Sequence, residues 1–113
     1  MSKLPFSRFK KVGNIIFTSG QIHLKEGKLV GETVAEKTKQ VMENLKVVLS
    51  DAETSFDEVV KTTVYVIDME MYREFNEEYV KYFEDSFPTR EVVCVKRLPL
   101  GASIEISMIA EVR

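Results

Sequence analysis

The sequence VVKTTVYVI, residues 59–67, decides the fold class. Its β-branched and aromatic residues alternate between two sets, which is the pattern of a β-strand whose two faces are both at least partly covered. Asp68 follows at once and belongs to a residue type that caps helices. A strand that leads directly into a capped helix indicates a domain that combines a sheet with helices.

Apolar residues at helical spacing predict two helices, one before and one after this strand. The first begins at Thr33, which forms a capping-box pattern with Glu36. Its stripe consists of Val34, Thr38, Val41, Leu45, Val48 and Ala52, with Met42 and Leu49 beside it. The second follows Asp68 and ends by Pro88, because proline cannot continue a helix. Its stripe consists of Tyr72, Phe75, Asn76, Tyr79, Tyr82 and Phe83.

The other strands are expected towards the two ends of the chain. They cover residues 7–12, 15–19, 21–24, 90–98 and 103–112. Gly13-Asn14 separates the first two and predicts a tight hairpin. The resulting order of elements predicts an α+β two-layer sandwich, with one largely antiparallel or mixed sheet and both helices on one face.

The sheet face away from the helices is expected to be partly apolar. Alternation assigns to it Val59, Tyr65, Ile67, Val92, Cys94 and Ile109. An apolar patch of that kind usually marks contact with a partner. We therefore expect a homo-oligomer that packs through this face.

Length, charge and composition narrow the class of protein. The 113 residues fit a single domain spanning 1–113, and a net charge of −2 argues against nucleic acid or an anionic membrane as partner. One cysteine and one histidine are too few for an internal disulfide framework or an ordinary zinc site. No apolar run approaches the roughly 20 residues of a membrane span. The opening MSKLP has no apolar signal core, so a cytoplasmic protein is expected.

Two charged residues are candidates for chemistry. Arg90 stands at the mouth of a strand, where alternation directs it away from the helices, and its guanidinium suits a carboxylate held by two hydrogen bonds. A strand-end salt bridge is the commoner use of such an arginine. Glu105 lies inside the apolar pattern of the last strand, where it is either a solvated carboxylate or an acid/base group. If these two strands were neighbours, both side chains would line one small-molecule site.

Of four further residues, two have both a structural and a functional interpretation, and for the other two a structural role is expected. Asn76, within an aromatic stripe, either contacts a ligand or ties down backbone as a core amide. Gly20 either lets a ligand approach the backbone or forms a plain turn. His23 is expected at the surface or at an interface, and Cys94 is expected to be a small packing residue. No phosphate-binding glycine loop, dinucleotide fingerprint or metal motif is present.

Short motifs in order along nearly the whole chain resemble the RidA/YjgF family of imine/enamine deaminases, also called the L-PSP or translation-inhibitor family. They are GNIIFTSGQI at 13–22, NLK at 44–46, VVKTTVYV at 59–66, DM at 68–69, NEEY at 76–79, FPTR at 87–90, RLP at 97–99 and IEI at 104–106. Each motif alone is weak, and together they are specific.

The resemblance implies a chorismate-mutase-like fold and a homotrimer with three sites at the subunit clefts. It implies hydrolysis of 2-imino acids and enamines, such as 2-aminoacrylate, 2-iminopropanoate and 2-iminobutanoate, to 2-keto acids and ammonia, without a cofactor or metal. Arg90 matches the arginine that binds the substrate carboxylate, and Glu105 the glutamate that positions the attacking water. Three pocket positions of the family match Ser19, Gly20 and Asn76. The backbone carbonyl of Val92 matches one that helps to hold the water.

Two residues depart from the family pattern. Phe6 stands where many deaminating members carry a tyrosine, and Glu91 where a small or apolar residue is usual. Alternation directs Glu91 away from Arg90. Phe6 implies either a slower reaction on small imines or a pocket tuned to a more apolar imine. The alternatives to a deaminase are a carboxylate-binding protein without turnover and an endoribonuclease, an activity attributed to some family members.

Overall fold

The computed structural model describes residues 4–113, in which one main sheet is covered on one face by two helices. The strands are β1 (Phe9–Val12), β2 (Ile15–Thr18), β3 (Gln21–Ile22), β4 (Leu24–Lys25), β5 (Lys28–Leu29), β6 (Val59–Val66), β7 (Thr89–Cys94) and β8 (Ile104–Glu111). The helices are α1 (Val34–Asp51) and α2 (Tyr72–Tyr79). Neither is long and apolar enough to cross a bilayer, so the structure shows no membrane-spanning helix among the described residues.

The main sheet has the strand order β1-β2-β8-β6-β7, and β3 also pairs with β8. Only the β6–β7 pair is parallel; the other pairs are antiparallel. The strands β4 and β5 form a separate two-stranded ribbon. A mostly antiparallel sheet with both helices on one face confirms the α+β prediction.

Local signals in the sequence set the ends of these elements. Val12 pairs with Ile15 across the predicted two-residue turn, where Gly13 takes a φ of +61°. At α1 the Thr33 hydroxyl accepts from the Glu36 N–H at 3.0 Å, and the Glu36 carboxylate accepts in return from the Thr33 N–H at 3.2 Å. The predicted hairpin and capping box are therefore both present.

The second helix follows Asp68 and ends before Pro88, as predicted, but it is shorter than its apolar stripe. The Asp68 carboxylate accepts from the Glu70 N–H at 2.9 Å and caps a short 3₁₀ turn, Met69–Met71, which leads into α2. The helix buries Phe75 and Tyr79 and ends after eight residues, so Phe83 reaches the core from beyond the helix.

Three strand assignments require correction. A bulge between Val59 and Lys61 turns Val59 into the core, and Val92 also packs against the core, so neither belongs to the open face. The strand predicted over 90–98 ends at Cys94, because β6 ends at Val66 and offers no partner beyond it. Cys94 itself is exposed rather than a packing residue.

The open face of the sheet still carries apolar side chains. Tyr65 and Ile109 are half-buried there, while Phe17 and Val93 are 45% and 43% exposed. These residues follow the alternation that buries Ile16, Val64, Val66 and Ala110 on the helix side. The predicted apolar patch therefore exists with a partly different membership.

Candidate active site

Two cavities contain all the predicted site residues except Val92. The larger, here called the Glu105 cavity, has a volume of about 660 Å³. It is lined by Leu4, Phe6, Arg8, Ser19, Gly20, Gln21, Ile22, Leu24, Pro99, Leu100 and Glu105. The smaller, the Arg90 cavity, measures about 350 Å³ and is lined by Asn76, Tyr79, Val80, Phe87, Pro88 and Arg90.

Glu105 lies on β8 between Ile104 and Ile106, which are fully buried in the core. Alternation therefore directs Glu105 to the open face, where it stands opposite Tyr65 of β6. Partial burial raises the pKa of the Glu105 carboxyl above its ordinary value. A carboxyl shifted towards neutral pH is suited to exchange protons with a bound molecule.

Gly20 makes room for this carboxyl. A Cβ atom at position 20 would lie 2.3 Å from Oε2 and 2.7 Å from Cδ of Glu105, which is inside the closest contact that real Cβ atoms make. Any other residue at position 20 would force the carboxylate to move. The glycine therefore serves the Glu105 side chain and is more than a plain turn residue.

Ser19 holds the N-terminal segment against the end of β2. Its hydroxyl donates to the Ser7 carbonyl, and its backbone N–H donates to the Arg8 carbonyl at 2.9 Å. These two bonds fix the chain next to Phe6, whose ring is 54% exposed on the cavity wall. Ser19 thus positions one wall of the Glu105 cavity.

Arg90 faces the helices, contrary to the prediction. It pairs in register with Thr62, a fully buried core residue, and paired residues share a face. Its guanidinium carbon lies 5.0 Å from the ring centre of Tyr79 and 5.6 Å from that of Tyr72, whose hydroxyl accepts from Nη2 at 3.2 Å. Such stacking orients the guanidinium without neutralising it.

Within residues 4–113 no carboxylate forms an ion pair with Arg90, so the strand-end salt bridge is not its role. Glu91 points away from it, as alternation predicts, and pairs with Lys61 at 3.0 Å. The charge of Arg90 is therefore free for an anion that enters its cavity.

Asn76 places an unpaired acceptor beside Arg90. Its Oδ1 atom is buried and has no hydrogen-bond partner among the described residues. Buried amide oxygens are normally paired, and leaving one unpaired costs about 1–3 kcal/mol. The structural interpretation of Asn76 was an amide that ties down backbone. Among the described residues its Oδ1 atom makes no such bond.

The Arg90 and Glu105 side chains do not meet within one chain. β6 lies between β7 and β8, and the two side chains stand on opposite faces of the sheet. The condition under which both side chains would line one pocket of the same chain, pairing of their two strands, is therefore not met. The protein carries two separate groups of site residues: Glu105 with Phe6, Ser19 and Gly20, and Arg90 with Asn76.

Val92 presents its backbone to the free edge of the sheet. The Val95 N–H donates to the Val66 carbonyl at 2.8 Å, so by alternation along β7 the N–H and carbonyl of Val92 point away from β6. In the strand order β7 has no second neighbour among the described residues. The carbonyl that the family resemblance singles out is therefore at an open edge.

Sequence reasoning missed the role of His23. The residue is buried, not at the surface: its Nδ1 lies 3.0 Å from the Val30 carbonyl, and its Nε2 accepts from the Ser103 N–H at 2.9 Å. Burial lowers the pKa of His23, and the nearby Lys37 adds to the effect. The neutral imidazole of His23, which lies between β3 and β4, therefore holds Ser103 at the start of β8, the strand that carries Glu105.

Asn44 is a second residue whose role was missed. Its amide donates to the carbonyls of Ile22 and Leu24, each at 2.9 Å, and so fixes two residues of the cavity wall to α1. The one signal for it in the sequence is the family motif NLK at 44–46, which gives no role for the side chain. Among residues 4–113 no cluster of three or more His, Cys, Asp or Glu side chains is placed to hold a metal ion.

Known proteins share both the sequence and the fold. The family profile described as Endoribonuclease L-PSP matches residues 1–112. Protein HMF1 of Saccharomyces cerevisiae is 42% identical over 109 residues, which cover 96% of this chain and 84% of that protein. Reactive Intermediate Deaminase A of Arabidopsis thaliana, a chloroplastic protein, is 39% identical over 108 residues, 94% of this chain and 58% of that protein.

Solved structures lead to the same assignment. The crystal structure of E. coli TdcF with bound serine is 29% identical, covers 99% of this chain and 91% of its own, and superposes with a TM-score of 0.90. The motifs along the chain, the two-layer fold and these matches agree. The chain belongs to the Endoribonuclease L-PSP family, which is the RidA/YjgF family that its motifs resemble.

Proposed function

We propose that the protein is a cytoplasmic imine/enamine deaminase, which hydrolyses 2-imino acids to 2-keto acids and ammonia. The observation that carries this proposal is the Glu105 carboxyl, which is half-buried in a cavity with a raised pKa and fits there only because residue 20 is glycine. The similarity to a Reactive Intermediate Deaminase A supports the same chemistry.

The chemistry needs one acid/base group and a water molecule. The Glu105 carboxylate orients a water and accepts its proton as the water oxygen bonds to the iminium carbon. The carboxyl then returns that proton to the amine nitrogen of the tetrahedral intermediate. The carbon–nitrogen bond breaks and ammonia leaves, while the Glu105 carboxylate takes the hydroxyl proton as the carbonyl forms and passes it to the ammonia, which departs as ammonium. General acid/base help of this kind contributes roughly 10²–10⁴-fold, which suits imines because they already hydrolyse unaided.

The substrate carboxylate is assigned to Arg90 of a second copy of the chain. Arg90 is stacked on aromatic rings, bears an unneutralised charge and lies in a different cavity from Glu105. A complete site therefore requires a neighbouring subunit. We propose the homotrimer that the family resemblance implies, packed through the apolar open face, with each of its clefts combining the Glu105 cavity of one subunit with Arg90 and Asn76 of the next.

A binding protein without turnover is the second candidate. Phe6 supports it, since this ring offers no hydroxyl to a ligand, and the related E. coli protein holds serine, a molecule with a carboxylate, in its crystal. An endoribonuclease is the third candidate, suggested by the family description. The net charge of −2 argues against it.

A coupled assay separates these functions. A serine dehydratase generates 2-aminoacrylate, semicarbazide traps the imine, and a deaminase lowers the yield of semicarbazone. We expect the wild-type protein to lower it and Glu105→Gln to leave it unchanged. If neither protein lowers the yield while both bind pyruvate, the binding function replaces the deaminase. Cleavage of RNA that survives repurification and disappears in the Arg90 and Glu105 variants would support the ribonuclease.

A further inference from the structure

The Glu105 cavity is unusually apolar for a site that would handle a small charged molecule. Six of its lining residues carry apolar side chains: Leu4, Phe6, Ile22, Leu24, Pro99 and Leu100. Within one subunit Leu4, Phe6 and Leu100 are 67%, 54% and 73% exposed, so the rest of the chain leaves their apolar surface uncovered. These walls favour an apolar occupant next to the carboxyl.

Two of the four polar side chains of this cavity, those of Arg8 and Ser19, are already engaged, which leaves Gln21 and Glu105. The Arg8 guanidinium pairs with Asp51 at 2.8 Å, and the Ser19 hydroxyl donates to the Ser7 carbonyl. Phe6 adds a ring without a hydroxyl. Glu105 is therefore the acid/base group, and the space around it offers few hydrogen bonds to a polar substrate side chain.

The cavity is also large. Its volume of about 660 Å³ within one subunit lies in the range of cavities that bind drug-sized ligands, which are far larger than a three-carbon imino acid. Leu100 projects into it from a backbone with a φ of +58°, a conformation that a leucine rarely adopts. That strained turn brings an apolar side chain to the cavity mouth.

We infer that the protein prefers 2-imino acids with large apolar side chains, such as those formed from leucine, methionine or phenylalanine, and that Phe6 and Leu100 set this preference. The inference rests on the proposed function, because it concerns the same Glu105 site. An apolar side chain placed against these walls leaves water, whereas the methyl group of 2-iminopropanoate covers little of their surface. One methylene in an apolar pocket already changes discrimination about 10–200-fold.

A panel of imino acids tests the preference. An amino-acid oxidase with catalase produces the imines of leucine, phenylalanine and 2-aminobutyrate, and the dehydratase supplies 2-aminoacrylate; semicarbazone yields then give kcat/KM. For the wild type we expect a value at least tenfold higher on the leucine and phenylalanine imines than on the small ones. Leu100→Ala and Phe6→Tyr should lower it several-fold on the large imines and little on the small ones. Val47→Ala, which truncates an exposed apolar residue on α1 outside both cavities, is the matched control and should change neither.

Each outcome decides between the inference and the proposed function. Hydrolysis of the small imines at an equal or higher kcat/KM overturns the preference and leaves the deaminase in place. If no imine is hydrolysed, the proposed function fails, and calorimetric titration with 4-methyl-2-oxopentanoate and pyruvate decides the preference by affinity. At least tenfold tighter binding of the larger keto acid is then the expected result, and equal binding overturns the inference as well.

Discussion

Replacing Gly20 with alanine tests the active-site geometry with a single added carbon. The new Cβ would lie 2.3 Å from Glu105 Oε2, whereas an ordinary contact begins at 3.4 Å, so the carboxylate must move by at least about 1 Å. Gly20 is not among the glycines with a positive φ, so alanine fits its backbone. The displaced atoms are the end of a flexible side chain. We therefore expect the fold to tolerate the substitution.

The expected result is a loss of rate without a loss of stability. A misplacement of about 1 Å in a reacting group costs on the order of 10²-fold, so kcat on a preferred imine should fall by about that factor. The melting temperature should stay within a few degrees of the wild type, because alanine also restricts the unfolded chain. Glu105→Gln should cause a similar loss, and the double variant should lose little more, since both changes remove the same group.

Gly13→Ala is the matched control with the opposite signature. A Cβ at Gly13 meets nothing within 4 Å, but its φ of +61° disfavours alanine by about 1 kcal/mol. This variant should therefore be less stable and fully active. If Gly20→Ala keeps the wild-type kcat, the position of the Glu105 carboxylate does not matter to the reaction, and the assignment of Glu105 as acid/base group is refuted.

The remaining predictions concern charge, assembly and pH. Arg90→Ala should lower kcat/KM by an amount equivalent to about 2–5 kcal/mol of transition-state stabilisation, because a desolvated charge pair is lost, and lysine at this position should rescue it poorly. Arg73→Ala, which changes an exposed residue on α2, is the control. Equal kcat/KM values for the two variants would exclude Arg90 from the substrate site. Sedimentation equilibrium should give a trimer at micromolar concentration, and a monomer alone would contradict the shared site. Because the pKa of Glu105 is raised, kcat should fall with decreasing pH, and the midpoint of that fall should lie above the ordinary carboxyl value of 4.5. This acidic fall should be absent from the pH profile of Glu105→Gln. Because folding lowers the pKa of His23, its contribution to stability is complete above about pH 6.5 and is lost as the pH falls below that value. His23→Gln should therefore reduce the fall of the melting temperature with decreasing pH below about 6.5. An unchanged slope would exclude titration of His23 as its cause.

Local features of the fold could be predicted because neighbouring residues determine them. The capping box at Thr33 and the turn at Gly13 each depend on a few consecutive residues and were correctly expected. The face of a strand is different, since it depends on pairing. Residues 92 and 93 are both valine, so alternation has no apolar contrast at that point, and the pairing of Arg90 with Thr62 is what turns Arg90 towards the helices. The bulge after Val59 turns that side chain to the other face of β6, and it too is a feature of the pairing of β6 with β8.

The family resemblance names members of the candidate site but not their arrangement in space. The resemblance identified Ser19, Gly20, Asn76, Arg90 and Glu105, and the structure places all five on the two cavities. The order of strands in the sheet separates Arg90 on β7 from Glu105 on β8. The alternation of residues within one strand does not reveal which strand lies beside it. The roles of His23 and Asn44 depend on backbone groups that lie 80 and 22 positions away in the sequence, so composition and periodicity could not reveal them.

The proposed trimer would link assembly to activity, because the candidate site residues are divided between two cavities. Among the described residues Arg90 has no ionic partner, and the buried Asn76 Oδ1 has no hydrogen-bond partner. An unpaired buried acceptor costs about 1–3 kcal/mol. A carboxylate ligand that pairs with Arg90, and a hydrogen-bond donor of the neighbouring subunit that reaches Asn76 Oδ1, recover part of that cost. Ligand and subunit would therefore stabilise the same state, and each should strengthen the binding of the other. On this reasoning dilution should weaken substrate binding, and a 2-keto acid should restore the trimer at concentrations where the free protein dissociates.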